Sequence, residues 1–167
     1  MRYYPAALAL SLFAAVTASA GLGATGEPDP RAARLIEEGR VALDAGDTQG
    51  AVDAFEAALA VDPGYTPTYL ELARAARKEG LQGKAIHYYR EALKQDPANF
   101  SALSGEGAAL VEKGAIEKAR RNLTKLQSLC GESCSETRTL ATSIETGPTQ
   151  TVVTAEAVKP EVVITQN

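Results

Sequence analysis

A spacing of 34 residues repeats through the middle of this 167-residue chain. Small residues recur at that spacing in three series, and large apolar residues recur in a fourth. The positions in register are Gly39, Ala73 and Gly107; Gly46, Gly80 and Gly114; Ala51, Ala85 and Ala119; and Phe55, Tyr89 and Leu123. A period of this length is typical of repeat proteins, in which each unit buries its apolar surface against the next unit. The spacing therefore predicts a stack of three similar units.

Each unit is predicted to contain two helices. In the first unit, Asp29-Pro30 forms a helix start, because Asp can accept hydrogen bonds from free N–H groups and proline fits the first turn. Gly46 ends this helix, and a second helix capped by Asp47 runs to about Val61. The matching starts and breaks are Thr66-Pro67 and Gly80 in the second unit, and Asn99 and Gly114 in the third. Abundant Ala and few aromatic residues favour such closely packed helices.

This arrangement resembles the tetratricopeptide repeat family, whose units combine small residues at the helix contacts with a large core residue and a closing proline. The first unit supplies Leu35, Gly39, Ala51, Phe55, Ala58 and Pro63, the second Tyr69, Ala73, Ala85, Tyr89, Ala92 and Pro97, and the third Leu103, Gly107 and Ala119. The third unit departs from the pattern at Leu123, Leu126 and Gly131. The resemblance covers roughly residues 32–133 and implies an all-α fold, an α-solenoid of three helix-turn-helix units.

A capping helix is predicted after the third unit. Leu140 and Ile144 are four residues apart and share one helix face. We expect Ser135 to cap this helix and Gly147-Pro148 to end it. A stack of repeats needs a terminal helix with one polar face to close its apolar end, and residues 135–146 fit that role.

The two cysteines, Cys130 and Cys134, flank the turn before the capping helix. If the chain is exported, its even number of cysteines favours a structural disulfide, which would tether the cap. The alternative is a thiol-dependent redox role through Cys134, whose position near a helix N-terminus would lower its pKa. A metal site is not expected, because structural zinc needs four ligands and His87 is the only histidine.

The resemblance also implies a concave groove lined by first-helix residues. The groove positions predicted to bind a partner are Ile36, Arg40, Leu43, Leu70, Arg74, Arg77, Lys78, Ser104 and Ala108. Four of them are cations from adjacent units, which suits a peptide or protein segment with an acidic group or a free carboxylate. The other interpretation is that these cations are ordinary solubilising charges. Ile36 and Arg40 stand where the family's carboxylate clamp uses Lys and Asn, so binding of chaperone tails is not implied.

The ends of the chain differ from the repeats. Residues 1–20 place one basic residue, Arg2, before a short apolar run that closes with Ala18-Ser19-Ala20, the pattern of a signal peptide. We expect residues 21–29 to form a linker, residues 30–146 the repeat domain with its cap, and residues 147–167 a disordered tail. Removal of Arg2 leaves 16 basic and 21 acidic residues, a net charge of −5. This balance argues against nucleic acid as a partner.

These features predict an exported, periplasmic protein with no stable membrane span after signal cleavage. No nucleophile and base occur at a recognisable spacing, and no phosphate-binding loop is present in the sequence. We therefore expect no enzymatic activity and no cofactor. The predicted function is a protein-binding adaptor or scaffold of the bacterial cell envelope. An accessory subunit of an envelope enzyme is an alternative, and self-association through the apolar ends of the stack stays open.

Overall fold

The computed structural model describes residues 26–148 of the chain. Within this range it contains seven helices and no strand, which confirms the all-α repeat prediction. The helices are α1 (Pro30–Asp44), α2 (Thr48–Val61), α3 (Thr66–Lys78), α4 (Gln82–Gln95), α5 (Phe100–Glu112), α6 (Ile116–Cys130) and α7 (Ser135–Thr146). The predicted signal peptide, residues 21–25 of the predicted linker and the tail beyond residue 148 lie outside the described residues.

Three of the predicted helix starts have the expected caps. The side chains of Asp29, Asp47 and Asn99 each accept a hydrogen bond from a backbone N–H two or three residues later. This contact satisfies one of the N–H groups that a first helical turn leaves without a partner. The breaks between paired helices occur at Gly46, Gly80 and Gly114, whose φ angles of 89°, 73° and 78° lie in the left-handed region that favours glycine.

Two predicted starts differ from expectation. Thr66 and Ser135 are the first residues of α3 and α7, and the cap positions before them carry no side-chain cap bond. The Thr66 hydroxyl instead donates to Gln95 Oε1 at 2.8 Å, joining the start of α3 to the end of α4. The Ser135 hydroxyl donates to Glu136 Oε2 at 2.7 Å. Both hydroxyls form other contacts in place of the predicted cap.

The paired helices approach closely where one helix carries glycine. A methyl group added at Gly39 would lie 2.6 Å from Cδ1 of the buried Phe55 ring, so only glycine leaves this space. A methyl group at Gly107 would lie 2.6 Å from Cδ1 of Leu140 on α7. Leu140 is fully buried and joins Leu103 and Leu126 in a cluster, so α7 covers the apolar end of the third unit. This is the position predicted for the cap.

Candidate peptide-binding groove

The first helices of the three units and the cap line a polar groove. Its volume is about 500 Å³. Its lining residues are Arg40, Pro67, Leu70, Glu71, Arg74, Arg77, Tyr89, Ser101, Ser104, Gly105, Ser135, Glu136 and Thr139. Most of them come from α1, α3, α5 and α7, because the successive units align these helices on one side of the stack.

A buried carboxylate organises one wall of the groove. Glu71 on α3 is 5 % exposed. Arg40 on α1 donates from Nε to Glu71 Oε1 at 2.9 Å, and its Nη2 lies at the same distance from that oxygen. Arg74 Nη1 lies 3.1 Å from Glu71 Oε2, without the alignment of a hydrogen bond. Two guanidinium groups therefore share one carboxylate, and Oε2 keeps capacity to accept a further N–H.

The other two predicted cations have partners as well. Arg77 forms a two-point contact with Glu112 on α5, and the Nε to Oε2 distance is 3.2 Å. These hydrogen bonds raise the pKa of Arg77 further above its usual value. Lys78 donates to the backbone carbonyl of Leu43, which joins the end of α3 to α1. Arg77 and Lys78 therefore connect successive units, besides any contact with a partner.

The charge of the groove differs from expectation. Two carboxylates, Glu71 and Glu136, line the groove together with its three arginines, and Glu112, which lies outside the lining, pairs with Arg77. The lining residues therefore carry a formal net charge of +1 instead of being strongly basic, with the arginines on the α1 and α3 side and Glu136 on the α7 side. Arg74 keeps the most available charge, since its side chain is 67 % exposed and shares its carboxylate with Arg40.

Five of the nine predicted groove residues line the groove. They are Arg40, Leu70, Arg74, Arg77 and Ser104. The structure buries Ile36 and Leu43, each at 4 % exposure, in an apolar cluster formed by α1, α2 and α3, so neither offers apolar surface to a partner. Gly39, which lies between these two residues in the sequence of α1, leaves the space that the Phe55 ring of α2 occupies. Lys78 and Ala108 lie outside the lining, Ala108 in a separate cleft of about 180 Å³ against α7.

Several lining residues are absent from the sequence prediction. Glu71 reads as a surface acid in the sequence but is buried, because its two arginine partners replace solvation by water. Ser135, Glu136 and Thr139 form the fourth wall on α7, and the predicted cap could have identified them, since it occupies the first-helix position of a fourth unit. The hydrogen bond from Ser135, followed by that from its own backbone N–H, lowers the pKa of Glu136. Glu136 is therefore negatively charged near neutral pH.

The remaining candidates lie elsewhere. The sulfur atoms of Cys130 and Cys134 lie within bonding distance, and their Cα atoms are 5.8 Å apart, a usual spacing for a disulfide. This geometry is compatible with the predicted bridge, whose presence and role stay a prediction.

His87 is an exposed residue of α4 beside Glu91. Across residues 26–148, no three His, Cys, Asp or Glu side chains converge as ligands for a metal ion. None of the helices in this range is both long and apolar enough to span a bilayer.

Comparisons with known proteins agree on the fold. Models of the tetratricopeptide repeat match residues 42–81 and 70–124. A stretch of 105 residues is 37% identical to cellulose synthase 2 operon protein C of Komagataeibacter xylinus, covering 62% of this chain but only 8% of that protein. The Sgt2 TPR domain from Aspergillus fumigatus has a TM-score of 0.64 at 22% identity, over 84% of this chain and 91% of that one. The first TPR domain of Spaghetti (RPAP3), bound to the HSP90 peptide SRMEEVD, has a TM-score of 0.63 at 20% identity, over 70% and 91%.

Proposed function

The chain belongs to the tetratricopeptide repeat family, and from that premise we propose that it is a non-catalytic module that binds a peptide or protein segment in the groove between α1, α3, α5 and α7. The observation that carries the proposal is the groove itself. It is open, it is about 500 Å³ in volume, and charged and hydroxyl side chains converge on it from four helices. A structural relative in this family is bound to a peptide, which supports the same kind of ligand for this chain.

Arg74 is the residue to which a partner carboxylate would bind. It is exposed, and Glu71 remains paired with Arg40 when Arg74 turns toward a ligand. The second oxygen of Glu71 is covered in this structure, and it would accept a backbone N–H of the bound segment only after Arg74 has moved off it. Hydroxyl groups of Ser101 and Thr139 lie in the same groove and suit the polar backbone of an extended peptide.

The proposed setting is the bacterial cell envelope, where the protein would act as an adaptor or scaffold. Two observations support this setting. The sequence begins with the pattern of a signal peptide, and a relative is a protein of a bacterial cellulose synthase operon. Because the match covers 8% of that relative, the relative's role is a guide to the setting and not to the activity.

The binding proposal can be tested with two matched variants. Arg74→Gln removes a cation in the groove, and Arg120→Gln removes one on α6, outside the residues that line the groove. Each arginine pairs with a glutamate three residues earlier, and their side chains are 67% and 61% exposed. Because Glu71 is buried whereas Glu117 is exposed, Arg74→Gln should cost more stability than Arg120→Gln, so partner capture is compared at a temperature at which both variants are folded. Cross-linked partners from an envelope extract should be depleted by Arg74→Gln and unchanged by Arg120→Gln. If the wild type, Arg74→Gln and Arg120→Gln captured equal amounts of the partner, the partner would bind outside the groove.

We also propose that the bridge between Cys130 and Cys134 fixes the cap helix at the groove. Cys134 immediately precedes Ser135, and Glu136 and Thr139 follow in the groove wall. A covalent link across this turn would restrict how α7 enters the wall. Its function would then be structural, and loss of the link should weaken both the fold and the groove.

A further inference from the structure

The first unit exposes a helix face that every later unit buries. Four positions of α3, Thr68, Leu72, Ala75 and Ala76, are at most 2 % exposed. The residues one further period along, on α5, are Ala102, Glu106, Ala109 and Leu110, and all four are buried as well. In α5 this face packs against α4, the second helix of the preceding unit, as the shared cluster of Ala102, Leu110 and Ile86 shows.

The same positions of α1 have no preceding helix within the described residues. They are Arg34, Glu38, Val41 and Ala42. Arg34 and Glu38 are exposed, and Val41 is 62% exposed, the highest value among the large apolar residues described. These residues line a shallow groove of about 560 Å³ on α1. The opposite end of the stack is closed, because α7 packs against α5 and α6.

The third unit shows what chemistry fits this face. Glu106, the period equivalent of Glu38, is 7 % exposed and accepts a hydrogen bond from Arg90 Nε of α4 at 2.7 Å. The incoming helix thus supplies one arginine to the glutamate and apolar residues to the neighbouring small side chains. Glu38 has the same position and charge but no ion-pair partner among residues 26–148.

We propose that this α1 face is a second interaction surface, which binds an amphipathic helix of a partner protein. The helix would carry an arginine for Glu38 and apolar residues for Val41 and Ala42. It would occupy the place that α4 takes on α5. Charge complementarity selects this occupant, because Glu37, Glu38 and Asp47 outnumber the single cation, Arg34, in the lining. The surface is independent of the peptide groove, to which α1 contributes Arg40.

The probe is a fluorescent peptide of residues 82–95, the helix α4 of this chain, which already fits the equivalent face of α5. A covalent staple between positions 83 and 87, both exposed, holds it helical. Binding to the purified protein is measured by fluorescence anisotropy. The protein variants are Glu38→Arg and, as a control for the charge change, Glu117→Arg, which alters an exposed residue of α6. A second peptide carries Arg90→Glu.

We expect the wild-type protein and Glu117→Arg to bind the first peptide equally, and Glu38→Arg to bind it about tenfold more weakly, because two like charges would meet. Glu38→Arg should regain affinity for the Arg90→Glu peptide. Arg74→Gln, the groove variant, should bind the first peptide normally, which separates this surface from the proposed peptide groove. The proposal would be overturned if the wild-type protein did not bind the peptide, or if Glu38→Arg bound it with the same affinity as the wild type. Concentration-dependent dimerisation that Glu38→Arg abolishes would assign the face to a second copy instead, and would also overturn it.

Discussion

Replacing Gly39 by Ala should destabilise the protein, although alanine is the better helix former. The added methyl group would lie 2.6 Å from Cδ1 and 2.9 Å from Cζ of Phe55, whose side chain is fully buried. The ring therefore has no free space to enter, and α1 must move away from α2. Overpacking of this kind costs about 1–3 kcal/mol. The gain in helix propensity is about 1 kcal/mol, so we expect a net loss of about 1 kcal/mol in the free energy of unfolding.

The chain provides a matched control for this substitution. Gly83 also lies in a helix, but the nearest atom to an added methyl group is Lys113 Nζ, 3.9 Å away. Gly83→Ala should therefore raise stability by up to about 1 kcal/mol. Changing Phe55 to Leu removes the obstructing ring, and in that background Gly39→Ala should cease to destabilise.

The assay is urea denaturation of these variants and the wild type, followed by far-ultraviolet circular dichroism. Opposite signs for Gly39→Ala and Gly83→Ala, together with relief by Phe55→Leu, would agree with the close contact between α1 and α2. If Gly39→Ala stabilised the protein as much as Gly83→Ala does, the reasoning from this contact would be refuted.

Three further predictions concern the cap helix. Reduction of the proposed Cys130–Cys134 bridge would free the unfolded chain from a closed ring and should cost about 2 kcal/mol of stability; equal urea midpoints with and without reductant would contradict it. Leu140→Ala should cost about 3 kcal/mol of stability, because it leaves a cavity at a fully buried site. Amide hydrogen exchange should then accelerate more in α7 than in the other helices. Ser135→Ala should raise the pKa of Glu136, measured by carboxyl-carbon NMR, because the hydroxyl that lowers it is lost. In the folded wild type the pKa of Glu136 lies below the usual 4.5, so the stability that its carboxylate contributes is complete above pH 4.5 and is lost as the pH falls through the folded pKa. An unchanged pKa of Glu136 in Ser135→Ala would show that the hydroxyl does not cause the shift.

The fold was largely predictable from the sequence, because its signals are local. Gly46, Gly80 and Gly114 break the paired helices through their left-handed backbone conformation, and that requirement is visible as a fixed spacing of glycine. Asp29 and Asp47 mark helix starts through contacts within a single turn. Such features depend on residues close in sequence, so one chain suffices to identify them.

The groove was only partly predictable, because its electrostatics depends on distant pairs. Glu71 and Arg40 are 31 residues apart, and nothing near either residue indicates that they meet. Ile36 and Arg40 are four residues apart on α1, yet Ile36 is buried while the long side chain of Arg40 carries its charge into the groove. Assignment of groove residues by repeat position alone does not distinguish these two outcomes.

The central claim, that a partner segment occupies the groove, is tested most directly by photo-crosslinking in intact cells. A photoreactive amino acid is placed at Ser101, an exposed groove residue on α5, or at Thr124, an exposed residue of α6 outside the groove lining. We expect a discrete adduct from position 101, reduced by Arg74→Gln, and none from position 124. The claim would be contradicted by an adduct from position 124 alone, or by adducts at both positions whose yield Arg74→Gln leaves unchanged.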